Sequence, residues 1–314
     1  MLGVTVAASR PTREGVTRHN PALAWAVYGD PGAAAEYGWT LVFHALTGSQ
    51  RVHEWWGEQI APAGPLGTRG PVLAANLPGS CYGSAFPGRR VTPRCMAEAH
   101  LPLIEELGIE RLSLVTGGSL GGMVALEWLR VSPVPIKRAV IFAAPARASA
   151  QVIAWNAAQR MALEAGGPAG LAAARAIAMI TYRSPGEFEE RFGRTKSRDP
   201  HVFDAETWLR NHGAKLARRF DTAAYGALTH AMDAHDVGPL AAAAAETGAR
   251  CGEVIGAGID SDRLFPASEV RAWVNAYRAA GVNARYAEIA SLHGHDAFLI
   301  EHAQVRRILA GEPS

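Results

Sequence analysis

Apolar positions along the chain gather into short runs at two different spacings. Seven are short apolar runs, several of them apolar nearly throughout: LAWAVYG (23–29), TLVFHA (40–45), PVLAAN (71–76), RLSLVTG (111–117), AVIFAA (139–144), EVIGAGI (253–259) and ARYAEIA (284–290). Their length suits strands, and strands apolar on both faces belong in a sheet covered on both sides. Between them, apolar residues recur at helical spacing over 93–107, 120–131, 267–280 and 297–309. From residue 71 onward strand and helix alternate, an order that predicts an α/β fold with a mostly parallel, doubly wound sheet.

The alternation stops near residue 146 and resumes near 250. The intervening stretch reads as helices: AQVIAWNAAQRMALEA, GLAAARAIAMITYRS, AETWLRNHGAKLARRFD and TAAYGALTHAMDAHD. This predicts a core of residues 1–146 and 250–314 with a helical cap, 147–249, inserted over the sheet's C-terminal edge. Open α/β sheets bind their ligands along that edge, so the cap should frame the entrance.

Composition narrows the classes of partner. Lys+Arg 31 against Asp+Glu 29 gives no electrostatic reason to expect nucleic acid or an acidic membrane. Cys81, Cys95 and Cys251 are scattered without metal-ligand spacing, which points to a reduced, cytoplasmic setting and no metal. The N-terminal apolar run is too short for an export signal and lacks a basic flank. The longest later run, AVIFAAPARASAQVIAW, is broken by Pro145 and Arg147, so no membrane span is expected.

One stretch carries chemistry. In VTGGSLGGMVALEW a serine sits among glycines where a strand pattern gives way to a helix, fitting G-x-S-x-G as Gly117, Ser119 and Gly121. A nucleophile thrust up from a tight strand–helix turn needs flanking positions without a Cβ. A phosphate loop would need a Lys-Ser/Thr pair, and none is there. A serine hydroxyl needs a base and an orienting carboxylate, in this fold in the chain order Ser, acid, His. VIGAGIDSDRLFP supplies Asp260 and Asp262, and EIASLHGHDAFL supplies His293 and His295. Spacing alone leaves each pair open, since loop aspartates often cap turns and loop histidines are often solvated.

Seven ordered blocks, GGSLGGMVALEW, FHALTGS, NLPGSCYGS, ITYRSPGEFEERFGR, FDTAAYGALTHAMDAHDV, SDRLFP and HGHDAFL, together resemble the homoserine O-acyltransferase family of methionine biosynthesis, over about residues 24–300. The resemblance implies an α/β-hydrolase fold, Asp262 as the acid and His295 as the base. It also implies Arg175, Tyr182 and Asp296 as substrate-binding residues. Chemically these fit an amino-acid acceptor, whose carboxylate suits a guanidinium and whose ammonium suits a carboxylate. Singly, the three read as a helix-surface arginine, a packed tyrosine and a helix-capping aspartate. The oxyanion hole would use the backbone amides of Leu120 and of Leu46 in the loop after LVFHA. Cys81 reads as a small buried side chain rather than a second nucleophile.

The implied activity is O-acylation of homoserine with acetyl-CoA, or succinyl-CoA, as co-substrate and no bound cofactor, through an acyl-serine. Serine or another alcohol as acceptor, and plain ester hydrolysis on the same triad, are the competing readings. The chain is shorter than the family: only GPA separates QRMALEAG from GLAAARA, Ser80 stands where a glycine is usual, and the loop after GSAFPG is trimmed. The basic run RFGRTKSRD (191–199) reads as a solvated cap surface, with CoA phosphates as its other use. The cap helices also offer a surface for a homodimer.

Overall fold

A computed structural model describes residues 10–19, 22–61, 64–67, 70–83 and 91–312. The first nine residues, read above for an export signal, and residues 84–90, where the loop after GSAFPG was expected to be trimmed, lie outside them. Eight strands form one sheet: β1 (Arg13–Val16), β2 (Ala24–Tyr28), β3 (Trp39–Phe43), β4 (Val72–Ala75), β5 (Leu112–Gly118), β6 (Ile136–Phe142), β7 (Val254–Ile259) and β8 (Ala284–Ile289). Their order is β1-β2-β4-β3-β5-β6-β7-β8. The six strands from β4 through β8 run parallel, while β1 and β2 pair antiparallel at one edge. All seven apolar runs are strands. The hydrophobic pattern misses β1 because REGV is largely exposed on its outer edge.

Alternation along the strands divides the core in two. Leu41, Phe43, Leu73, Ala139 and Ile141 pack on one face; Val42, Val72, Ala74, Val140 and Phe142 pack on the other. Each face needs its own helical cover, which is why the central strands tolerate no polar side. The second face is sealed by α2 (Val52–Trp55), α3 (Gly57–Ile60) and α15 (His302–Ala310), through Trp56, Ile60, Val305, Ile308 and Leu309. A one-turn helix, α1 (Ala34–Tyr37), lies before β3.

On the first face lie α4 (Pro93–Glu98), α5 (Leu101–Glu106) and α6 (Leu120–Val131). The single helix expected over 93–107 is broken at His100, because Pro102 lacks the amide that a continuous helix would need there. The run 297–309 is likewise split, at Glu301, into α14 (Ala297–Ile300) and α15.

Between β6 and β7 come α7 (Ala150–Gly166), α8 (Gly170–Tyr182), α9 (Pro185–Phe192), α10 (Asp204–Ala217), α11 (Thr222–Asp233) and α12 (Leu240–Gly248). Helix α8 is the hub, packed against α7, α10 and α11, and it also touches the turn Gly294–Asp296. Helix α12 packs instead on α6 and on α13 (Ala267–Ala279), in the layer that covers the sheet. The expected cap boundary at 249 therefore takes in one helix that belongs with the core layer. The helical insertion is pinched shut at its base: the Ala148 amide donates to the His235 carbonyl (2.9 Å) and the Val237 amide to that of Ala146 (3.0 Å). No helix among the described residues is long and apolar enough to cross a membrane.

Candidate active site

The C-terminal ends of β5, β7 and β8 gather the three residues singled out in the sequence as serine, acid and histidine. Strand β5 ends at Gly118 and α6 begins at Leu120, so Ser119 is the whole turn, at φ 57° and ψ −127°. A non-glycine residue at positive φ is strained, and such strain persists only where neighbours enforce it. The enforcement is visible. A Cβ on Gly121 would land on the Phe43 carbonyl oxygen and 2.7 Å from that of His44, and one on Gly117 would lie 2.5 Å from the Gly121 carbonyl. Backbone meets backbone on both sides of the serine, and only glycine fits.

Asp262 follows β7 and His295 follows β8. The His295 Nδ1–H donates to Asp262 Oδ2 at 2.7 Å, and Asp262 Oδ1 accepts the amides of Leu264 (2.8 Å) and Phe265 (3.0 Å). This fixes the imidazole tautomer and leaves Nε2 basic, buried and without a hydrogen bond. The ring is held by Phe265, Tyr182 and Phe298 at centroid distances of 5.1, 5.6 and 5.7 Å. Phe298 also fills the space beside Gly118, where a Cβ would strike its ring. The serine turn and the imidazole thus share one aromatic wall. Ser119 and His295 make no hydrogen bond to each other here, and such contacts tighten with substrate.

Burial alone would lower the His295 pKa. The Asp262 charge and hydrogen bond, with Asp296 adding to them, outweigh it and hold the imidazole above its ordinary value. The two bystanders have other work: Asp260 Oδ1 accepts the Ser291 amide, and His293 Nδ1 lies 3.4 Å from Glu187 Oε2.

Leu120 opens α6, where helix amides lack intrahelical acceptors. Leu46 lies three residues beyond Phe43, which is in register with Gly117, so both candidate amides belong to adjoining turns of one edge. Sequence reading passed over the support of that turn. His44 is buried, donates from Nδ1 to the Ala45 carbonyl (2.8 Å) and accepts the Leu77 amide at Nε2 (3.0 Å). Burial pushes its pKa down to about 4, so it stays neutral and can do both. Its only signal in the sequence was a histidine ending an apolar strand.

On the cap side, the Arg175 guanidinium lies over the Tyr182 ring at 5.2 Å, and Tyr182 in turn packs on His295. Among the described residues Arg175 has no carboxylate partner. Asp296, by contrast, is paired: Oδ2 lies 3.0 Å from Nη2 of Arg183. Arg183 was not singled out in the sequence, where it reads as an ordinary i,i+4 partner of Glu187.

Cys81 is half-buried rather than buried, its sulfur 3.3 Å from the Asp221 amide, which donates to it. The basic run 191–199 is largely exposed, with Lys196 and Arg194 over Phe203 and Arg191 over Trp208. No group of three or more His, Cys, Asp or Glu among the described residues is arranged to hold a metal ion.

Comparison with known proteins agrees with this architecture. Residues 40–165 match the family model for the α/β hydrolase fold. The chain is 40% identical to a homoserine O-acetyltransferase of Thermus thermophilus, covering 86% of this chain and 80% of the relative. It is 40% identical to that of Deinococcus radiodurans, covering 89% and 82%. Among solved structures it is similar to the homoserine O-acetyltransferase of Staphylococcus aureus, at TM-score 0.79 and 26% identity over 96% of this chain and 93% of the other. Esterase E22 shares the fold at TM-score 0.80 and 18% identity, over 95% and 99%. With 40% identity over most of both chains, this protein belongs to the homoserine O-acetyltransferase family of α/β hydrolases.

Proposed function

We propose that the protein transfers an acetyl group from acetyl-CoA to the hydroxyl of homoserine, by way of an acyl-Ser119. His295 Nε2 takes the Ser119 proton as Oγ attacks the thioester carbonyl, and the Leu46 and Leu120 amides hold the oxyanion. Collapse expels the CoA thiolate, which leaves with the proton from the imidazolium. The homoserine carboxylate then meets Arg175, its ammonium meets Asp296, and His295 removes the hydroxyl proton. Attack on the acyl-enzyme and collapse return Ser119 with its proton. Two half-reactions sharing one enzyme form give ping-pong kinetics.

The observation that carries this reading is the Arg175 guanidinium, without a carboxylate partner among the described residues and stacked on the tyrosine that packs against His295. A partly buried cation without a counter-charge is costly. A carboxylated acceptor would supply that charge, and a plain esterase has no use for it. The relatives' names give the same acceptor and acyl group.

The test is release of CoA thiol from acetyl-CoA with homoserine, with serine and with no amino acid. Fast release that requires homoserine is expected, and Ser119→Ala should lower it by about 10⁴-fold or more. Equal release without any acceptor would make the protein a hydrolase. Substantial transfer by the alanine variant would remove the covalent intermediate.

A further inference from the structure

Outside the triad, a set of buried charges lies where the end of α8 meets the loop before His295. Arg183, directly after α8, is mostly buried. Its Nη1 donates to both carboxylate oxygens of Glu187 on α9, at 3.0 and 3.2 Å, and its Nη2 lies 3.0 Å from Asp296 Oδ2. Nε is buried without a partner. Glu187 is itself buried, and is faced in addition by His293 at 3.4 Å and by Arg191 at 3.8 Å. Among the described residues, Asp296 Oδ1 has no hydrogen bond.

Burying a guanidinium is costly unless its pairing returns a benefit. Here the planar fork can do what a point charge cannot: one nitrogen is anchored on the cap while the other grips a carboxylate one residue from the triad histidine. The backbone is stitched alongside. Ser184 Oγ donates to the Leu292 carbonyl. Gly294, at φ 62°, lies so close to the α8 terminus that a Cβ would come 2.8 Å from both the Ser184 amide nitrogen and the Tyr182 carbonyl oxygen.

We infer that Arg183, anchored by Glu187, is a positioning residue for Asp296: it fixes Oδ2 so that Oδ1 faces the ammonium of the amino-acid acceptor. The inference rests on Asp296 as the ammonium site in the function proposed above. Arg183 need not touch the acceptor. It sets the direction of the carboxylate that does, and it leaves the acylation half-reaction to the triad.

The experiment compares homoserine with 4-hydroxybutyrate, the same hydroxy acid without the amine. It also measures the nitrophenol burst from 4-nitrophenyl acetate, which reports acylation alone. In the native protein homoserine should be preferred by at least tenfold in kcat/KM. Arg183→Gln should raise KM for homoserine about tenfold and erase most of that preference, with the burst rate within twofold of native. Glu187→Gln, which keeps the arginine but weakens its anchor, should give a smaller change of the same kind. Arg183→Lys should recover only part of the preference. If Arg183→Gln slows the burst as much as it slows transfer, or leaves the preference intact, the positioning role is wrong. If the native protein itself shows no preference for the amine, the reading of Asp296 fails and takes this inference with it. Should Arg183→Gln not fold, the Glu187→Gln result decides alone.

Discussion

At the residue scale, the chemistry rests on side chains whose neighbours leave them no alternative. Asp262 spends one oxygen on two backbone amides and the other on His295, so it orients the ring without freedom to turn. In the proposed role of base His295 must be neutral to accept a proton, and the imidazole is held above its ordinary value of 6.5. Acylation should therefore fall off as pH drops through a midpoint above 6.5, as more His295 becomes protonated. Asp296 is one of the charges that favour the imidazolium. Asp296→Asn should stabilise it less and move that acidic limb to lower pH, measured as kcat/KM for 4-nitrophenyl acetate. An unmoved limb would mean that Asp296 does not act on the histidine.

At the element scale, helix α8 carries the cap's side of the site. It holds Arg175 and Tyr182, ends against the His295 loop and packs on α7, α10 and α11. Its distance from the loop is set by a glycine. Gly294→Ala would bring both an unfavourable φ and a clash with main-chain atoms, which nothing flexible can relieve. A loss of roughly 2–4 kcal/mol is expected, seen as a drop in melting temperature of roughly 3–6 °C, together with slowed acyl transfer. A variant with native melting and native turnover would show that this contact is slack.

Much of this element scale was legible beforehand. The central strands announce themselves because both faces are buried, and the glycine spacing announces the serine turn. What stayed illegible is pairing across distance. Nothing local says which of Asp260 and Asp262 meets which of His293 and His295; the answer lies in loops brought together by β7 and β8. Arg183 hid for a related reason, since its bond to Glu187 is visible at helical spacing and its bond to Asp296 spans the fold. Edge strand β1 hid because it is largely exposed and carries no apolar pattern. The α9 start was readable in principle: Ser184 caps the Glu187 amide with Pro185 at the first turn.

At the scale of the whole molecule, the last helix closes the structure far from the chemistry yet beneath it. Trp56 donates its indole N–H to the Phe298 carbonyl, and Phe298 is the residue that lines both Ser119's turn and His295. Helix α15 seals the same face with Val305, Ile308 and Leu309. Exposing three such side chains costs about 1.5–3 kcal/mol each, against a total stability of about 5–15 kcal/mol. A chain ending at Glu301 should give no cooperatively melting protein by circular dichroism. Native-like melting of that truncated chain would show that the face needs no such seal.

The two hydrogen bonds that tie residues 146–148 to 235–237 make the helical insertion a cassette with its two leads soldered side by side. Because departure and return coincide, the strands beneath are indifferent to how many residues travel above them. Such an excursion can be lengthened, shortened or rebuilt while the turn that holds Ser119 and the loops that bring Asp262 to His295 are left as they are. The three-residue GPA link between α7 and α8 lies within that excursion, away from the strands.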